Sequence, residues 1–152
     1  MELVELLQKH QNETLNTAFE AVKRSQLKSY EREGDEHIHQ RLKALFVLTV
    51  RAIKDRNLGP MIAHAQTIAQ ERFASGYDLS EVQTAINVLE ETMWMTVLRN
   101  MPASDYAEAL GMVSTVLGAG KDSLARQYVS LASKTKSISL NLQRMFSGTE
   151  GT

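Results

Sequence analysis

A chain of 152 residues, 43% hydrophobic, fits one domain that buries a core without disulfides or metal. The absence of cysteine excludes a disulfide frame, a thiolate metal site and a cysteine nucleophile. A formal charge of -1 gives no overall attraction to nucleic acid or to an anionic membrane.

Only two prolines and eight glycines punctuate the chain, which leaves the long uninterrupted stretches of an all-α protein. The start, "MELVELLQKHQNE", carries acids where a secretory signal carries bases, and no apolar run reaches the roughly 18 residues of a membrane span. The expectation is a cytoplasmic protein.

The spacing of Val4, Leu7, Leu15, Ala18, Phe19 and Val22 predicts a helix within residues 3–29, interrupted by the polar stretch "QKHQNET". Gly34 then breaks the chain, and Asp35 is a candidate N-cap for a second helix running to about Arg56. Its stripe is Ile38, Leu42, Leu45, Phe46, Thr49 and Ile53, widened by Val47, Leu48 and Val50 into contacts on two sides. Asn57 and Gly59 stop it, and Pro60 suits the first turn of a third helix, where its missing N–H is not needed. Ile62, Ala65, Ile68, Ala69 and Phe73 form the inner face of that helix, and Gly76 can take the left-handed conformation that closes it.

Asp78 and Glu81 match a capping box, with Tyr77 and Val82 as its hydrophobic staple. From there Leu79, Val82, Ile86, Leu89, Met93 and Val97 mark one face of a fourth helix about 20 residues long, with Trp94 and Leu98 beside the ladder. A turn at Pro102, Ser104 and Asp105 starts the last helical region. Gly118 and Gly120 interrupt its apolar face and mark either a bend recapped by Asp122 or a close backbone crossing. The expected organisation is one helical domain over 1–134, of about five to six helices, and a polar, flexible tail over 135–152.

No set of residues converges on a mechanism. His37 and His39 are two apart on a helix, point in different directions and read as a solvated helix start. His64 lies beside an apolar stripe and is the one histidine to weigh as an axial haem ligand, though a plain helix-face histidine is the stronger reading. Glu90 and Glu91 are helix neighbours that cannot face one another across a cleft, so they read as a solvated face. "GAGKDS" lacks the spacing of a phosphate loop. The sequence therefore nominates no catalytic, cofactor-binding or metal-binding residue. Met93, Trp94, Met95, Met101 and Met112 supply either core or an adaptable binding surface.

The succession "AQTIAQERFASGYDLSEVQTAINVLEETMW" resembles the N-terminal domain of the RsbR/RsbRD type of RsbT co-antagonist proteins of bacterial stress signalling. The resemblance is carried by Ala65, Ala69, Arg72, Gly76, Leu79, Ser80, Glu81, Val82 and Leu89, and it covers about residues 30–132. It implies a globin-like helical domain that binds no haem, forms homodimers and serves as the variable input module of a signalling protein. Such domains usually precede an STAS-type output domain or a kinase module, and this chain has room for neither after the resemblance ends. The resemblance thus implies an input domain acting on a partner in trans, or one excised from a longer chain. The alternative is a haem-binding globin-like protein using His64. An enzyme ranks last.

Overall fold

In a computed structural model, residues 2–147 are described in backbone and residues 2–135 in side chain. They fold as an all-α bundle. Its helices are α1 (Glu2–Lys9), α2 (Gln11–Arg24), α3 (Lys28–Glu33), α4 (Asp35–Asp55), α5 (Gly59–Ala74), α6 (Leu79–Asn100) and α7 (Tyr106–Ser147), with a 3-10 turn (Ala103–Asp105) before α7. No helix among the described residues is long and apolar enough to cross a membrane.

The helices α4 and α6 lie at the centre of the bundle. The α1–α2 arm packs against both of them from one side, and α7 packs against α4, α5 and α6. Their ladders meet in one core, whose fully buried members include Leu7, Val22, Phe46, Met61, Leu89, Met93, Leu117 and Leu124. Polar ties fix the register of these helices. Thr14 on α2 and Thr96 on α6 share a buried hydroxyl–hydroxyl bond of 2.9 Å. Lys121 on α7 reaches Glu90 at 2.8 Å and Asn87 at 2.9 Å on α6. Glu90 is therefore no solvated residue, as the sequence implied, but an 8% exposed carboxylate paired across two helices; Glu91 is exposed.

Element boundaries follow local chemistry with a few departures. The predicted first helix is three, because the chain turns at His10 and again after Arg24, where Gln26 takes a φ of 52°. Gly34, at φ 96°, is itself the N-cap of α4, and Asp35 sits in the first turn, where its charge complements the helix dipole and meets Lys23 at 3.3 Å. The α4 terminus uses Arg56, at φ 50°, as its left-handed residue, while Asn57 turns its Oδ1 to accept from the Gly59 N–H.

Gly76 does adopt φ 82° between α5 and α6. Asp78 is the N-cap of α6, but its side chain makes no cap bond and the Glu81 N–H is bonded to the Asp78 carbonyl instead, so the reciprocal box is not formed. No break occurs at Gly118 or Gly120: α7 is continuous. A Cβ on Gly120 would lie 3.1 Å from Met61 Sδ, so its glycine permits the close crossing of α5 and α7. Helix α7 runs on through Ser147, across most of the segment expected to be a tail; residues 148–152 lie outside the described residues.

Candidate functional site

A cavity of about 250 Å³ opens among α2, α3, α4, α5 and α6. Its walls are mostly aliphatic: Ile38, Leu42 and Leu45 from α4, Ile68 from α5, and Val82 and Ile86 from α6. Tyr30, Gln40, Arg41, His64, Glu71 and Arg72 bring the polar groups. The cavity lies just below the roughly 300–1,000 Å³ range of drug-sized ligand sites, and above the ~150 Å³ that holds a benzene ring.

Beside this cavity, and sharing Tyr30 and Arg41 with its lining, is a network built by the α3–α4 corner and the Gly76 turn. The left-handed Gly76 directs Tyr77 inward, where it is buried. The Tyr77 hydroxyl donates to Glu33 Oε1 at 2.6 Å and accepts from an Arg41 N–H, and a second Arg41 N–H donates to Glu33 Oε2 at 2.7 Å. The three side chains close a ring of charge-assisted bonds. Tyr30 meets Tyr77 edge-on at 5.1 Å, the Arg41 and Arg72 guanidiniums lie 5.3 and 5.8 Å from the Tyr77 ring centroid, and Tyr128 of α7 donates to the Tyr77 carbonyl at 3.1 Å.

The electrostatics hold the tyrosines as protonated donors and Glu33 as an accepting carboxylate at neutral pH. Burial, reinforced by the bond to Glu33, pushes the Tyr77 phenol up to about 12, against the opposing pull of Arg41. Burial likewise raises Tyr128 to about 12 and raises Tyr30. Burial also works to raise Glu33, but the bonds from Tyr77 and Arg41 outweigh it and hold its carboxyl below the usual range. His64 is lowered by burial and then by the Arg72 charge, which favours its neutral form.

Arg72 touches this network, through a side-chain hydrogen bond to Tyr30 and its place over the Tyr77 ring, but is not fully paired by it. It is 6% exposed, and its partner through Nη1 is Glu71 at 3.2 Å, whose own side chain is 62% exposed. Its Nε–H is buried and has no hydrogen-bond partner, and a buried oxygen of nearby Glu81, Oε2, has none either. A buried donor left unpaired costs about 1–3 kcal/mol, so folding alone does not favour this arrangement.

His64 therefore lines a real cavity, but one too small in this form for a tetrapyrrole, which exceeds a drug-sized fragment. His37 and His39 are exposed, with the His39 ring stacked on Phe19 at 3.7 Å, and His10 faces Glu13 at 3.6 Å. Among the described residues no cluster of three metal-ligating side chains forms. Of the methionine and tryptophan set, Met93 is core, Met101 and Met112 pack against it, and Trp94 and Met95 are exposed together with Leu98 on one side of α6. A larger groove, about 400 Å³, lies between the end of α4 and the start of α7; it is more open, and its polar residues Arg56, Asn57 and Glu108 are exposed.

Sequence reasoning passed over Arg41, Tyr30, Glu33 and Tyr77 as site residues, and it did not nominate Arg72 as one either. One signal was there to find: Met61, Ala65, Ile68, Ala69 and Arg72 recur at spacings of three and four, so the arginine sits on the buried stripe of α5. No family model, curated protein or solved structure matches the chain.

Proposed function

We propose that this chain is a non-catalytic signalling input domain, in which a small effector in the α2–α6 cavity modulates dimerisation and contact with a partner protein. The observation that carries the reading is the buried, incompletely paired Arg72 in a mostly aliphatic cavity. Ligand sites combine an apolar lining with few placed polar groups, and they tolerate polar groups that the folded chain alone leaves unsatisfied. The resemblance to stress-signalling input domains points the same way.

The α6 helix supplies a mechanical route. Val82, Ala85 and Ile86 line the cavity, and Trp94, Met95 and Leu98 form an exposed apolar stripe farther along the same helix. Ile86 and Trp94 are about 12 Å apart along the axis at 1.5 Å per residue. A cavity that pushes on one end of α6 shifts the stripe at the other, and a second copy of the chain seated on that stripe would register the shift. STAS-type or kinase modules in trans are the outputs that the resemblance offers.

Light scattering of the purified chain, with an absorption spectrum of the same sample, tests the reading. A colourless dimer is expected. A monomer at all concentrations would remove dimerisation from it, and a Soret band lost in His64→Ala would replace it with the haem alternative.

A further inference from the structure

We infer that the cavity is selective for a small organic carboxylate carrying a single ring or a short branched body, with its carboxylate on Arg72. The inference rests on reading the cavity as an effector site and adds the chemical class of the effector. Three observations carry it.

The first is the unpaired Arg72 Nε–H, on a side chain that lines the cavity and is more than nine-tenths buried. A carboxylate oxygen is the acceptor that a guanidinium edge matches best, because Nε–H and one terminal N–H form a parallel fork. The second is the state of the other charged groups. Arg41 is already held by Glu33 and Tyr77, and its charge is balanced by the Glu33 carboxylate, so it does not compete with Arg72 for the ligand. Glu71, the acid beside Arg72, is mostly exposed and can turn to water at a cost of under about 1 kcal/mol, which frees the guanidinium. Glu81 is not among the lining residues. His64 lines the cavity too, and burial and the Arg72 charge lower it, which favours its neutral form.

The third observation is size and lining. The aliphatic walls of Ile38, Leu42, Leu45, Ile68, Val82 and Ile86 accept an apolar body, and about 250 Å³ leaves room for a ring and one planar substituent. Inorganic phosphate would leave those walls uncovered. A ring with no acceptor would leave the Arg72 Nε–H unpaired.

Isothermal calorimetry on the full chain with benzoate and its neutral isostere benzamide tests this. Benzoate is expected to bind about tenfold or more tightly than benzamide, since a charge-assisted bond replaces a neutral one in a poorly hydrated site. Arg72→Met should abolish the preference and Arg72→Lys should keep part of it. Ile86→Trp, which fills the cavity and leaves Arg72 in place, should block both compounds. Benzamide binding as tightly as benzoate, or a preference that survives Arg72→Met, would overturn the carboxylate and leave the cavity as an effector site. Binding of neither compound to a folded chain would overturn both readings. Benzoate binding that survives Ile86→Trp would place the anion elsewhere and overturn the inference.

Discussion

Replacing Arg72 by Met separates a ligand-binding arginine from a structural one. Methionine approximates the arginine stem in length and keeps its apolar packing against the cavity wall. The substitution loses the contact with Glu71, worth about 0–1 kcal/mol because that carboxylate is 62% exposed. It also loses the guanidinium over the Tyr77 ring at 5.8 Å, worth about 0.5–1 kcal/mol, and the side-chain hydrogen bond to Tyr30, worth about 0.5–1.5 kcal/mol. Against this, it removes a buried N–H without a partner, whose desolvation costs about 1–3 kcal/mol. The two sides nearly cancel, so unfolding in urea should give a stability within about 1 kcal/mol of the parent chain, with an unchanged m-value. Breaking a buried and fully paired ion typically costs about 3–5 kcal/mol. A loss of that size in Arg72→Met would refute the reasoning and make Arg72 a structural ion.

Other substitutions test the scaffold around the site. Gly76→Val should cost about 1–2 kcal/mol purely through backbone strain, because φ is 82° and an added Cβ meets nothing within 4 Å; an unchanged thermal midpoint would show that the turn relaxes freely. The Glu33 carboxyl is held below its ordinary value of 4.5, so its share of stability is full above that value and is lost as the pH falls through the lowered one. Glu33→Gln should therefore flatten the acid limb of a stability-against-pH curve, and an unaltered limb would contradict the network. Tyr128→Phe removes the bond to the Tyr77 carbonyl and should cost about 1 kcal/mol in the same urea assay, whereas no change would mean that α7 does not anchor the turn. Trp94→Ala combined with Leu98→Ala should weaken self-association while leaving the thermal midpoint close to that of the parent, since both side chains are exposed; an unweakened dimer would place the interface elsewhere.

The fold was largely legible because the helices from α4 to α6 carry their own punctuation. Gly34, Pro60 and Gly76 act through backbone geometry alone, and the stripes of Ile38 to Ile53 and Leu79 to Val97 follow the helical period. Less legible were features set by neighbours distant in sequence. Whether Asp78 caps with its side chain, or whether Gly120 bends α7 or lets Met61 approach it, depends on packing that local rules do not contain. Glu90 looked solvated because its partner, Lys121, is 31 residues away.

The site was harder still. Tyr30, Glu33, Arg41, Arg72 and Tyr77 come from α3, α4, α5 and a turn, and each looks ordinary within its own segment. Their meaning arises from bonds made between elements and, for Arg72, from burial without full pairing, properties that have no signature in spacing. Only the position of Arg72 on a buried stripe pointed inward from the sequence, and an arginine there is as compatible with a structural ion pair as with a ligand contact.

The most direct test of the central claim is the monomer–dimer dissociation constant, measured by sedimentation equilibrium with and without saturating benzoate. An input domain driven from the α2–α6 cavity should show a reversible dimer whose constant shifts several-fold when the cavity is filled, with the shift absent in Ile86→Trp. A chain that stays monomeric, or a dimer whose constant is the same with the cavity filled, would contradict it.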